Sequence, residues 1–154
     1  GQGVIDLIST DHCPFSAELK KQGAENFMQT PGGVSGIETR LALAHTFGVL
    51  AGHLTLNRWV EVCCTYPADL HGMTHKGHLA PGYDADIVLF DPQKKVTYSA
   101  DVLHSNIDYT PYQGITVTGA PITTISRGEV IVENGQYVGH RGQGRFLKRV
   151  LFRH

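Results

Sequence analysis

The sequence predicts an α/β unit followed by an all-β half, and three observations carry that prediction. An apolar run rich in β-branched residues, 4–10 (VIDLIST), stands near the start and ends at Asp11-His12-Cys13-Pro14. Between residues 37 and 70 apolar positions recur at helical spacing, punctuated by Gly52, Thr55 and Pro67. From Gly77 onward the chain changes to short β-type runs separated by turn residues. Strand, loop and helices in that order are what an α/β unit gives.

Residues 4–10 read as a strand buried on both faces, and so as a parallel one. Pro14 forces the exit. Residues 16–29 are polar, with room for one short helix. Pro31-Gly32-Gly33-Val34-Ser35-Gly36 is a glycine-rich loop. Residues 37–50 read as a helix with Ile37, Leu41, Ala44 and Val49 inward, stopped by Gly52. Thr55 caps a second helix whose inner face is Trp59, Val60 and Cys63. Pro67, at a first helical turn, starts a third that runs through Leu70. In the β half, Pro81-Gly82 marks a turn, and strands are expected over 86–90, 96–99, 115–118, 122–127, 129–133 and 136–138. Asn134-Gly135 is a two-residue hairpin turn. There is no internal repeat and no low-complexity segment.

The bulk composition narrows the class. A chain of 154 residues, 41% apolar and 18% charged, can bury a core and is not disordered. A net charge of −1 gives no reason to expect nucleic acid or an anionic membrane as partner, and no apolar run is long enough to span a bilayer. The exception is the tail, where Arg141, Arg145, Lys148, Arg149 and Arg153 occur without a carboxylate. It reads as a solvated or subunit-docking segment. Three cysteines, Cys13, Cys63 and Cys64, show no disulfide framework and read as reduced thiols of a cytoplasmic protein. The chain has no initiator Met and enters its first strand within a few residues, so it is expected to be a piece of something longer.

Three stretches carry candidate chemistry. Asp11 follows the expected strand, and chemistry on parallel α/β folds sits at the carboxyl ends of strands. A carboxylate there binds a metal, acts as a general base, or does both; alternatively it only turns the chain before Pro14. Neighbours in an extended chain point opposite ways, so Asp11, His12 and Cys13 do not all face one site. The second stretch holds His71, His75 and His78, which tempt a zinc reading but have no Cys, Asp or Glu joining them. A structural or incidental cluster is expected. His45 and His53 flank a helix and read as surface or core polar groups. The third is the 31–36 loop, whose glycines let backbone N–H and C=O groups approach a ligand closely. It lacks the Lys-Ser/Thr pair of a phosphate loop.

Longer motifs run through the whole chain: Thr10-Asp11-His12-Cys13-Pro14-Phe15, Pro31-Gly32-Gly33-Val34-Ser35-Gly36-Ile37-Glu38-Thr39-Arg40, and Pro67-Ala68. They continue with Lys76-Gly77-His78-Leu79-Ala80-Pro81-Gly82-Tyr83-Asp84-Ala85-Asp86-Ile87-Val88, Asp108-Tyr109-Thr110-Pro111-Tyr112-Gln113-Gly114, Arg127-Gly128-Glu129-Val130 and Gly142-Gln143-Gly144-Arg145-Phe146-Leu147. On these residues the chain resembles the C-terminal third of the cyclic amidohydrolases of the hydantoinase and dihydropyrimidinase group. The resemblance implies the closing portion of a metal-dependent hydrolase TIM barrel over 1–75, with its last strand and trailing helices. It implies part of a composite β-sandwich over 76–138, completed by strands from the N-terminus of the full chain, and a basic tail over 139–154.

The resemblance also implies chemistry. Asp11 becomes a ligand of a binuclear zinc site and the proton carrier between the attacking hydroxide and the leaving nitrogen. Zinc lowers the pKa of bound water and polarises the carbonyl. Backbone groups at Gly32 and Gly33 would hold the planar amide of the substrate ring; many relatives carry Asn where this chain has Gly32. His12 and Cys13 become wall and turn residues. The other ligands, a His-x-His pair, a carboxylated lysine and two histidines, belong to an earlier part, and this chain has no His-x-His. The implied substrate is a small cyclic amide or ureide, and the implied assembly a homo-oligomer, tetramer or dimer. Dihydroorotase or allantoinase chemistry, a non-catalytic scaffold relative and an inactive piece are the alternatives.

Overall fold

The computed structural model describes residues 3–151. Residues 4–10 are extended, as a strand requires, but they are largely exposed and not buried on both faces, and they form no ladder. A strand exists only through hydrogen-bonded neighbours, and among the described residues none lies beside this segment. Its backbone is held by helices instead. Ile8 N donates to Val62 O at 3.0 Å, Arg40 donates to Ile8 O at 2.8 Å, and Arg58 donates to Ile5 O at 2.6 Å.

The polar stretch that follows contains α1 (Ala17–Lys21) and a 3-10 turn, Phe27–Gln29. Next, α2 (Arg40–Ala44) runs without a break into a π-helical turn, His45–Val49. Its entry differs from expectation, because residues 37–39 form a turn and Ile37 is 66% exposed. After Thr55, whose hydroxyl accepts from Arg58 N at 3.1 Å, α3 (Leu56–Val60) passes through π-helical Glu61–Thr65 into α4 (Tyr66–Leu70). The helices expected from Thr55 and from Pro67 are therefore one continuous helix.

Proline inside a helix has no N–H to give, and it crowds the carbonyl four residues back. The π-helical turn makes room for it. Tyr66 N reaches back to Glu61 O and so leaves Val62 O, while Pro67 has no N–H for Cys63 O. Both carbonyls find donors outside the helix: Ile8 N on Val62 O, and the Arg40 guanidinium on Cys63 O at 3.2 Å. The irregularity that Pro67 demands is thus what fastens the segment leading to Asp11.

Burial on this helix follows the 3.6-residue period. Trp59 and Cys63 are buried as expected, but Val60 is 46% exposed and Val62 takes its place. Val60 sits one residue, about 100°, round from Trp59, whereas Val62 and Cys63 return to its face. Two core clusters result. One gathers Trp59, Val62 and Cys63 with Ile8, Leu41 and Phe90; the other gathers Ala42, Tyr98 and Val117 with Leu43 and Ile115. Adjacent residues of α2 face the two clusters, so α2 is the plank between α3–α4 and the sheet. His45 spans the seam: its Nδ1–H donates to Thr118 O at 2.7 Å, and its ring lies 4.9 Å from Phe90 and 5.3 Å from Trp59.

The sheet is antiparallel in the order β1 (Ile87–Thr97), β2 (Thr116–Ser126), β3 (Glu129–Glu133), β4 (Gln136–Tyr137). The four short runs expected over 86–99 and 115–127 are two long bulged strands. Register slips between Leu89 and Phe90 and between Asp91 and Lys95. Pro92, which has no ladder donor, falls inside the second slip. Of the two turns after β2, Asn134-Gly135 is as expected, whereas Arg127, expected to end a strand, opens the other with Gly128. Arg127 and Gly128 have φ of 48° and 85°, and Asn134 and Gly135 have φ of 49° and 81°. Positive φ at both central residues is the type I′ signature of tight hairpins. Among the described residues no helix is long and apolar enough to cross a membrane.

The described part of the tail folds back on the chain. Val150 N donates to Gly72 O at 3.0 Å, and Arg127 donates to Gln143 O. Phe146 and Leu151 nevertheless stay 92% and 88% exposed. Arg153 lies outside the described residues.

Candidate functional site

Asp11 sits where the extended segment turns. Its φ is 42°, a left-handed conformation that costs an L-residue about 1 kcal/mol or more but that Asp tolerates better than most. Its carboxylate is exposed, and among the described residues it makes no hydrogen bond or ion pair. The next two residues tie the turn to the glycine-rich loop. His12 Nδ1 accepts from Gly36 N at 3.1 Å and from Ile37 N at 3.3 Å, and Cys13 N donates to Val34 O at 3.2 Å.

Other elements hold the loop from outside. From α1, the Lys20 ammonium donates to Gly33 O at 2.7 Å and to Pro31 O. The start of α1 is fixed in turn by Asp108, whose Oδ1 accepts from Ala17 N at 3.0 Å. Glu38 accepts from His104 N at 2.8 Å and lies 2.6 Å from its Nδ1; that hydrogen bond raises the His104 pKa above its ordinary value. A Cβ on Gly36 would come within 3.7 Å of the Tyr112 hydroxyl and 3.5 Å of Thr10 Cβ. The motifs at 10–15, 31–40 and 108–112, far apart in sequence, therefore meet around Asp11.

The two loop glycines are not equivalent. Gly33 has φ +109°, and a Cβ there would lie 2.5 Å from Cys13 O. Only glycine allows that approach, which brings the loop against the residue two beyond Asp11. A Cβ on Gly32 meets nothing within 4 Å, and its φ is not in the left-handed range. Gly33→Ala is therefore expected to lift the loop off Cys13 and to destabilise the protein by about 2 kcal/mol, strain and overlap combined. Gly32→Asn is expected to leave stability within about 0.5 kcal/mol. Thermal unfolding of the two variants side by side checks this, and equal losses would contradict it.

An open carboxylate on a turn that is pinned on both sides can accept and return a proton, or lend one oxygen to a metal. It does not hold a metal by itself. Among the described residues no three His, Cys, Asp or Glu side chains converge on one point. The loop histidines point elsewhere: His75 Nδ1 lies 3.1 Å from Gly82 O, His78 lies 3.8 Å from Asp69, and His71 lines a groove. That groove, of about 640 Å³, runs between α3–α4 and β1 past Trp59, Met73 and Val88, and none of Asp11, Gly32 or Gly33 lines it. Of the cysteines, Cys63 is buried, and burial pushes its thiol up to about 11, which makes it a poor nucleophile.

Sequence reasoning gave no role to Lys20 or, beyond its place in the 31–40 motif, to Arg40, which fasten the loop and the segment before Asp11. Their partners are backbone carbonyls 11 to 32 residues away, and no local pattern announces such a contact.

The model of the amidohydrolase family matches residues 1–131. The chain belongs to the amidohydrolase family. It is 42% identical to a D-phenylhydantoinase of Escherichia coli (strain K12 / DH10B) over 152 residues, which is 97% of this chain and 33% of that protein. Its fold is that of part of a D-hydantoinase from Bacillus sp. AR9, with a TM-score of 0.96 and 39% identity over 99% of this chain and 34% of the other. A dihydropyrimidinase from Brevibacillus agri NCHU1002 gives 0.95 and 42%, over 99% and 33%. The amidohydrolase chain thus spans about a third of the length of the relatives it matches. The fold expected from the resemblance stands: it is part of a metal-dependent hydrolase TIM barrel followed by part of a β-sandwich, here α2 to α4 and the four-stranded sheet. The names of these relatives are hydantoinase and dihydropyrimidinase, the group that the sequence motifs taken together resemble.

Proposed function

We propose that this chain is part of a cyclic-amide hydrolase that opens dihydropyrimidines or 5-substituted hydantoins to N-carbamoyl amino acids. The observation that carries the reading is the Asp11 turn: a free carboxylate at left-handed φ, against a glycine loop whose closest approach only Gly33 permits. Asp11 takes a proton from the attacking water as its oxygen bonds to the amide carbon. It gives that proton to the ring nitrogen as the C–N bond breaks, so the carboxylate ends the cycle ionised. Backbone groups of Gly32 and Gly33 hold the planar amide in line. Members of the amidohydrolase superfamily are generally metal-dependent, and a binuclear zinc site would supply Lewis-acid polarisation of the carbonyl and an acidified water. Asp11 would give that site one ligand, and the rest would come from parts of the polypeptide beyond this chain.

In this reading residues 1–75 close the barrel, 76–138 belong to the sandwich, and 139–154 form an association tail. The free thiols support a cytoplasmic setting. Exposed Phe146 and Leu151 amid the cations of the tail support docking onto a second subunit of a homo-oligomer, dimer or tetramer. Deleting residues 142–154 from the complete polypeptide is expected to shift sedimentation to smaller species. An unchanged profile would count against a docking tail. The function itself is tested by sequencing the complete polypeptide and assaying it on dihydrouracil and 5-phenylhydantoin. Ring opening on either, together with an upstream His-x-His and lysine, supports the proposal. Their absence would leave a scaffold or an inactive piece as the better reading.

A further inference from the structure

We propose that His12 is a positioning residue: by accepting the amides of Gly36 and Ile37 on Nδ1, it sets the spacing between the Asp11 carboxylate and the glycine-rich loop. The proposal rests on the reading of Asp11 as the proton carrier and of the loop as the substrate cradle. Two N–H groups converge on one ring nitrogen, at 3.1 and 3.3 Å. That nitrogen must carry a lone pair, so the ring proton is on Nε2. The amides belong to residues 24 and 25 positions away, at the turn that leads into α2. Gly36 is buried, so its N–H has no ready water to replace the imidazole.

The location of His12 gives this contact its leverage. His12 follows Asp11 directly, and the positive φ at Asp11 sets the two side chains on different bearings, one into the open and one into the loop. The remaining ties are backbone ones, the bond from Cys13 N to Val34 O and the packing of Gly33 on Cys13. They hold the middle of the loop. Among the side chains of the turn, His12 makes the hydrogen bonds to its far end, where the loop becomes α2 and where the Thr10 side chain lies beside Gly36. Loss of the Nδ1 acceptor would therefore let the loop tilt about the Cys13 contact, and carboxylate and cradle would separate.

Asn and Gln distinguish the two ring nitrogens. His12→Asn places a carbonyl oxygen near the Nδ1 position, while His12→Gln places it near Nε2 and leaves both amides bare. Both variants are made in the complete polypeptide. Backbone amide exchange at Gly36 and Ile37 is followed by mass spectrometry, and kcat and KM are measured on 5-phenylhydantoin. With His12→Asn, exchange and kinetics are expected to stay near the parent's. With His12→Gln, exchange is expected to quicken at least about tenfold, KM to rise and kcat to fall together by about 10- to 100-fold, and the unfolding midpoint to drop somewhat below that of the Asn variant, because a buried amide is left unpaired. Equal exchange in the two variants, or faster exchange in Gln with unchanged kinetics, overturns the proposal. If the parent opens no ring, the hydrolase reading fails by itself. The exchange comparison then still decides the clasp, which faster exchange in Gln than in Asn supports and equal exchange refutes.

Discussion

Asp11→Asn in the complete polypeptide is expected to lower kcat by about 10²- to 10⁴-fold, the usual contribution of a positioned acid–base group, without lowering the unfolding temperature. Asn is the informative replacement because of the backbone. Asp11 has φ 42°, and Asn is among the few L-residues that tolerate that region. The turn, the His12 and Cys13 bonds and the loop are therefore kept, and only the capacity to take a proton and to lend a charged oxygen is lost. Asp11→Ala should also abolish turnover, but it forces alanine into the left-handed region and adds a stability loss of about 1 kcal/mol. The pair separates chemistry from scaffolding. Kinetics and thermal unfolding on both variants are the measurement, with bound zinc determined alongside. A near-normal rate and normal zinc in Asp11→Asn would remove Asp11 from the reaction, and the proposed function would lose its carrying observation.

What could be read from the sequence was what local chemistry determines. Asn134-Gly135 and Thr55 announced a hairpin turn and a helix cap because glycine's freedom and a hydroxyl's reach act within two or three residues. The order of helices before sheet was legible for the same reason. The failures share the opposite cause. Residues 4–10 have strand composition, but a strand needs a neighbour, and here the neighbours are the Val62 carbonyl and two arginines. Pro67 reads locally as a helix start. In the structure the π-helical turn Glu61–Thr65 just before it lets the helix run through, and the freed carbonyls are bonded from Ile8 and Arg40. The candidate site divides along the same line. Asp11 and the glycine loop could be singled out by residue type and motif, whereas the clasp between them depends on contacts 21 to 25 residues apart that no periodicity encodes.

Gly119→Ala tests how the helical layer and the sheet are joined, and its expected loss is on the order of 3 kcal/mol. Gly119 lies in β2 beside the register slip of β1, with φ +97°. A Cβ there would lie 2.5 Å from His45 Nδ1 and 2.7 Å from two carbons of the Phe90 ring. The His45 ring has no free space to turn into, whereas the Phe90 ring is half-buried and borders the groove. His45 is 2% exposed and bonded to Thr118 O, and its ring and that of Phe90 both lie against Trp59. The methyl must push the seam apart, since packed interiors do not yield by such distances without cost. Gly128→Ala is the control. Gly128 also has positive φ, 85°, but a Cβ there meets nothing within 4 Å, so it carries backbone strain without overlap. At about 2–4 °C per kcal/mol for a chain of this size, Gly119→Ala should melt roughly 10 °C below the parent and clearly below Gly128→Ala. Equal melting temperatures would mean that the seam is soft and that the His45–Thr118 bond does not fasten α2 to the sheet. A large difference would mean that α2, whose leading turn meets His12, is held in place from the β2 side as well.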